Sequence, residues 1–333
     1  TNLNLIDTQM KVSDDRSAGN LPKAGGTMTG NIVLGTNTVG GLQITTTGTG
    51  NTGLGTGAVD SITTGTNDVG LGNNALTANT TGYNNTASGF QAMMANTTGY
   101  NNTANGANTL IANTTGIANI ALGYASLGSN TTASNNTALG YAALNANTTA
   151  SNNTAVGYYA LLANTTGTYN TASGFESMKA NTTGSYNAAY GRLSLEANTT
   201  GNENTAIGNT ALYLNTSGIN NTAVGSAALN ANTTGADNVA VGKDALLANT
   251  TAASNTAVGA NALKANTTGA NNIAVGDSAL LANTTALNNI GIGVASLLVN
   301  TTGASNIAIG TSALRANTTG GSNTAVGYQA LDS

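Results

Sequence analysis

From residue 79 onward the chain repeats itself every 17 residues without a single insertion or deletion. The anchor of each copy is an Asn followed by Thr-Thr or Thr-Ser: Asn79, Asn96, Asn113, Asn130, Asn147, Asn164, Asn181, Asn198, Asn215, Asn232, Asn249, Asn266, Asn283, Asn300 and Asn317. Two looser copies precede these, with Thr45 and Ile62 at the anchor phase, so residues 45–333 hold seventeen copies. A unit this short cannot enclose a core of its own. Its apolar residues are buried only by stacking on the next unit, which is the logic of a solenoid.

Each phase of the repeat carries its own constraint, counted here from the anchor Asn as position 0. Position 10 is Gly in all fifteen regular copies, from Gly89 to Gly327. Position 14 is Leu or Met, from Met93 to Leu331, and position 8 is Ala with Gly291 as the one exception. Positions 7 and 9 are mostly Thr, Ile, Val or Leu, as in Ile273 and Val275. A small residue between branched neighbours predicts a short strand. The Thr-Thr-Gly stretch and the constant Gly predict tight turns. The Tyr-x-Ala-Leu part that follows reads equally as a second strand or as one helical turn.

The fold class expected is therefore all-β: a parallel β-solenoid, a β-roll or β-helix, of 17-residue coils. Strands stacked about 4.8 Å apart make seventeen coils into a rod on the order of 80 Å long. Constant coil length sets each phase over its counterpart, so a buried Asn column can hydrogen-bond along the axis, as amide ladders do in other stacked sheets.

Residues 1–44 differ and read as a separate N-terminal connector. They hold Asp7, Lys11, Asp14, Asp15, Arg16 and Lys23, along with Pro22, the chain's single proline. Residues 69–175, by contrast, carry no charge at all. Charged residues are 6% of the whole chain, against roughly 25% in an ordinary globular protein. A long uncharged rod stays soluble either under a coat of sugar or with much of its surface buried against identical chains.

Composition also removes function classes. The chain has no Cys and no His, which excludes disulfides, thiolate metal sites, Cys nucleophiles and imidazole bases. A net charge of −4 gives no basic field for nucleic acid. No stretch approaches the roughly 18 apolar residues of a membrane-spanning helix. Glu176, Glu196, Glu203, Asp237, Asp244 and Asp277 fall at different phases and build no repeated acid pair. The Gly-rich GTGNTGLG at residues 48–55 has no following Lys and is a degenerate repeat, not a phosphate loop. No cofactor and no enzymatic activity are expected.

Two motifs carry a resemblance. LPKAGGTMTGNI, residues 21–32, resembles a segment of bacteriophage tail fibres, where it opens a β-structured module. NTAVGYQAL, residues 323–331, resembles the repeats of long phage and bacterial fibre proteins. Its NTAVG core is similar to the head repeats of trimeric autotransporter adhesins, although the 17-residue unit is longer than the usual adhesin-head repeat. The resemblance implies a homotrimeric fibre on a virion or outside the cell, whose partner is first of all itself.

Two columns invite sharper readings. Every anchor Asn begins an Asn-x-Thr/Ser glycosylation sequon, and Asn84, Asn101, Asn135, Asn152 and Asn220 begin five more. The anchor column is therefore either a buried Asn ladder or a sugar-bearing stripe, and one Asn cannot be both. Position 11 holds Phe90, Tyr124, Tyr141, Tyr158 and Phe175 in earlier copies and Arg192, Asn209, Ser226, Lys243 and Asp277 in later ones. Such tolerance predicts a surface position, where the rings either stack on cell-surface glycan or cover their neighbours' backbone. The Thr-Thr pair points to opposite faces and gives no paired Thr array for ordering water. The expected function is a structural shaft that spaces or presents a receptor-binding region. A glycosylated filament and a glycan-binding surface are the alternatives.

Overall fold

A computed structural model describes residues 44–45 and 50–332. Apart from Ile44, the expected N-terminal connector lies outside the described residues, as does the tail-fibre-like segment 21–32. One three-residue strand recurs in each coil, from β2 (Thr52–Leu54) through the middle strand β10 (Ala188–Tyr190) to β18 (Thr324–Val326). Sixteen coils of 17 residues thus separate the first of these strands from the last. All of them pair in parallel with unshifted register, as in Ala223 opposite Ala240. The fold is a parallel β-solenoid with no helix among the described residues.

β1 (Ile44–Thr45) is the exception, pairing antiparallel with β2 along the sheet's N-terminal edge. Thr45, at the anchor phase by sequence, thus belongs to a reversed strand. An antiparallel strand laid on the edge occupies backbone groups that an open edge would offer to another chain.

The core is one continuous column. Ala at position 8 and Leu or Met at position 14 are fully buried from coil to coil, as Ala223 and Leu229 show. Each Leu packs on the Leu above and below, so a single cluster runs from Val59 to Ala325.

The Tyr-x-Ala-Leu part is neither strand nor helix. Its backbone alternates in handedness: Ala227 and Leu229 sit in the left-handed region at φ 57° and 51°. That conformation costs a non-glycine residue roughly 1–2 kcal/mol. The alternation turns successive amides toward opposite neighbours. Ala227 N–H donates to Asn209 O in the coil before, and Leu229 N–H donates to Ala245 O in the coil after, each at 3.0 Å. Burial of the Leu side chain, worth about 1.5–3 kcal/mol, offsets the backbone strain.

The constant Gly follows from stacking. Gly225 has φ 136°, and a Cβ there would stand 2.5 Å from the carbonyl oxygen of Gly242 in the next coil. That φ lies far beyond the left-handed well that Asn occupies elsewhere in the chain, so the backbone conformation and the neighbouring carbonyl both select Gly.

Candidate functional surfaces

The anchor Asn residues form a buried ladder. Asn79 to Asn300 are fully buried, and Asn317 is half-buried. Asn232 shows the pattern: its Nδ2 donates to Asn215 Oδ1 at 2.8 Å and to Gly235 O at 3.0 Å. Its Oδ1 accepts from Asn249 Nδ2 at 2.9 Å. Both amide hydrogens are therefore used inside the rod. In the folded coil this nitrogen is out of reach of a glycan.

A second ladder runs beside the first, and the sequence reading missed it. Position 6 is Asn in all fifteen regular copies, from Asn85 to Asn323. Asn221 takes its backbone N–H to Asn204 Oδ1 at 3.0 Å and its Nδ2 to Gly235 O at 2.8 Å. The carbonyl of Gly235 thus accepts from both ladders and joins them. The signal was an unbroken Asn column, hidden because its members also fall within or beside the Asn-Asn-Thr sequons. The first Asn of those sequons points outward: Asn84, Asn101, Asn135 and Asn220 are exposed, and Asn152 is half-buried.

One carboxylate interrupts the second ladder. Asp68 is fully buried where every other coil from Asn51 to Asn323 has Asn. It accepts from Asn85 N at 2.8 Å and from Asn79 Nδ2 at 3.0 Å. Burial pushes its carboxyl above the usual carboxylate range, against those hydrogen bonds, which lower it. Asn at this position donates to the carbonyl fourteen residues on, as Asn85 does to Gly99. An ionised Asp68 has no proton to give Gly82. An acid with a raised folded pKa favours the fold below its unfolded pKa and loses that contribution as pH rises through the folded value. Asp68→Asn is therefore expected to stabilise coils 51–99 by about 1 kcal/mol at pH 7. The gain should shrink as pH falls through the carboxylate range. Hydrogen exchange of those coils at the two pH values checks both parts. Equal protection of parent and variant at pH 7 would contradict the reading.

The position-11 aromatics stand at the surface. Phe90 is 51% exposed and Tyr124 49%. Tyr124, Tyr141, Tyr158 and Phe175 form one stack, with centroids 5.3, 5.3 and 5.4 Å apart and near-parallel planes. Arg192 lies over the next face of Phe175 at 5.9 Å. The hydrogen bond that the Tyr158 hydroxyl donates to Tyr159 is the main cause that pushes the Tyr158 phenol up to about 12. The rings therefore show solvent their edges and give their faces to one another. Stacking on a sugar needs an open aromatic face; in this file no ring covers the side of Tyr124 away from Tyr141, and Phe90 stands outside the stack. Two shorter stacks, Tyr83 on Tyr100 and Tyr169 on Tyr186, flank the strand at positions 4 and 5.

The scattered acids do not converge. Glu176 pairs with Lys179 and Asp244 with Lys264, each at 3.1 Å on the surface. Among the described residues no three acids gather into a metal-sized cluster. No helix among them is long and apolar enough to cross a membrane.

The strand face is the most extended outward feature. Positions 7 and 9 point outward on either side of the buried Ala, and neither column holds a charge in any coil from Thr52 to Val326. From Ile207 to Val326 every position 9 is Val or Ile, and Val241 and Ile292 are 36% and 38% exposed. No protein-family model matches the chain, and no curated protein is detectably similar to it.

Proposed function

We propose that this chain is the shaft of a fibre on a virion or outside the cell, assembled as a homotrimer, which holds a receptor-binding region at a distance. The observation that carries the reading is the pair of Asn ladders, interrupted once at Asp68, beside one Leu column. Each added coil brings the same hydrogen bonds and the same buried Leu, so the rod lengthens at constant cross-section and stability per coil. A repeat with nearest-neighbour stability is suited to spanning distance.

The native mass of the purified particle, set beside the denatured chain mass, tests this. A chain of 32.5 kDa in a particle three times as heavy is the expected result. A particle of one chain would sink the trimeric shaft. A chain several kilodaltons heavier would move the sugar-coated filament to first place, with the outward Asn84, Asn101, Asn135 and Asn220 as the sites to map. Glycan recognition along the aromatic file is the weaker alternative, because the rings cover each other's faces.

A further inference from the structure

The chain has no Cys and no Trp, which leaves tyrosine as the side chain that one-electron oxidation can couple to a second residue of its own kind. Most of its tyrosines stand against the tyrosine of the next coil. Tyr83 and Tyr100 stack with centroids 4.6 Å apart and planes 7° from parallel. Tyr169 and Tyr186 stack at 5.1 Å and 5°, and Tyr124 and Tyr141 at 5.3 Å and 17°. Rings this close meet carbon to carbon. Tyr83 and Tyr186 are 39% and 59% exposed, so an oxidant reaches them from solvent. The main chain beside each pair is pinned between coils. Asn101 N–H donates to Tyr83 O and Tyr186 N–H to Thr168 O, each at 3.0 Å, and Ala142 N–H to Tyr124 O at 2.9 Å. The rings therefore stay opposite each other while their exposed side chains remain free to tilt.

We propose that these stacks are sites of oxidative cross-linking, at which a haem peroxidase with hydrogen peroxide joins neighbouring coils by a carbon–carbon bond between two tyrosines. Each phenol gives one electron and its hydroxyl proton to the oxidant. The two phenoxyl radicals then bond through ring carbons adjacent to the oxygen-bearing carbon. The C–H bonds at those two carbons break, and the protons return to the two oxygens. Two phenols and one hydrogen peroxide thus give one dityrosine and two waters.

Holding the two rings in contact makes the coupling a unimolecular event. A bond between residues seventeen apart closes a short loop and restricts the unfolded chain, as a disulfide does in chains that have cysteine. In a rod whose coils are held only by their neighbours, such a staple stops fraying at the coil it closes. Two of the three stacks fall within residues 69–175, where the lack of charge leaves no ion pair to tie one coil to the next. The staple lies within one chain, so it forms whatever the number of chains in the fibre. Tyr190 and Tyr213 are internal controls. The neighbouring coils carry Ser173 and Ile207 at the phase of Tyr190, and Glu196 and Asn230 at that of Tyr213.

Two variants of the full chain test the proposal. Tyr100→Phe, Tyr141→Phe, Tyr159→Phe and Tyr186→Phe together keep every ring and every stack but leave no tyrosine against another. Tyr190→Phe with Tyr213→Phe removes unstacked phenols only. Each protein is treated in dilute solution with horseradish peroxidase and hydrogen peroxide, and dityrosine is read by its blue fluorescence and by the loss of two hydrogens per link in the denatured mass. The parent and the unstacked variant should form dityrosine equally while running as single chains on a denaturing gel. The fourfold variant should form about tenfold less. Oxidised parent should also resist proteolysis longer than untreated parent, with no such gain in the fourfold variant. Equal dityrosine in the parent and the fourfold variant would overturn the proposal, as would links that appear only between chains. So would a parent that forms none under conditions that couple N-acetyltyrosine amide.

Discussion

Leu229→Asp should break the rod at one place. Leu229 is fully buried in the Leu column, touching the same position in the coils on either side. An unpaired carboxylate there meets no donor, and the loss is expected to reach about 4 kcal/mol or more. Backbone strain does not account for it, because Asp tolerates the left-handed φ of 51° better than Leu does. In a solenoid the damage stays near the altered coil. Limited proteolysis should therefore nick the chain close to residue 229 and leave two resistant fragments. Leu229→Met should be nearly silent, since Met93 and Met178 already occupy this column. Protease resistance equal to the parent would show that the Leu column is not the core.

The second large effect is expected from Asn232→Leu. The substitution keeps much of the volume and removes three hydrogen bonds: two donated by Nδ2 and one accepted by Oδ1. Asn215 Oδ1 is left buried without this donor, and Asn249 Nδ2 keeps only Ala252 O. At about 1–3 kcal/mol for each buried group left unmatched, the loss should be about 3–5 kcal/mol. Asn288→Asp is the control, because Asn288 is exposed at the outward position 5. Its effect should stay within about 0.5 kcal/mol. Urea melts followed by circular dichroism give both values. Equal midpoints for the two variants would mean that the ladder contributes nothing to the stability of the rod.

Much of the fold was legible because a stacked repeat writes its cross-section into every copy. A column that is always small, always Leu or always Gly reports what surrounds it. The Gly column was read as a turn requirement, and the structure adds the next coil's carbonyl at contact distance. Glycosylation and burial compete for the same Asn, and only the hydrogen bonds of the folded coil show that Nδ2 is already used twice. The second ladder was missed although its column is just as constant, because position 6 abuts the strand and shares its letters with the sequons.

By itself the sequence determined the coil length and the Ala and Leu columns of the core, because an uninterrupted 17-residue period sets each position over its counterpart. Only the tertiary structure decided the path of the chain within each coil. The Tyr-x-Ala-Leu stretch was open between strand and helix since four residues carry no periodicity. It takes an alternating left- and right-handed path because its amides find their partners in the coils above and below. The tertiary structure likewise decided which aromatics offer faces and which only edges, since that depends on the distance between one coil and the next.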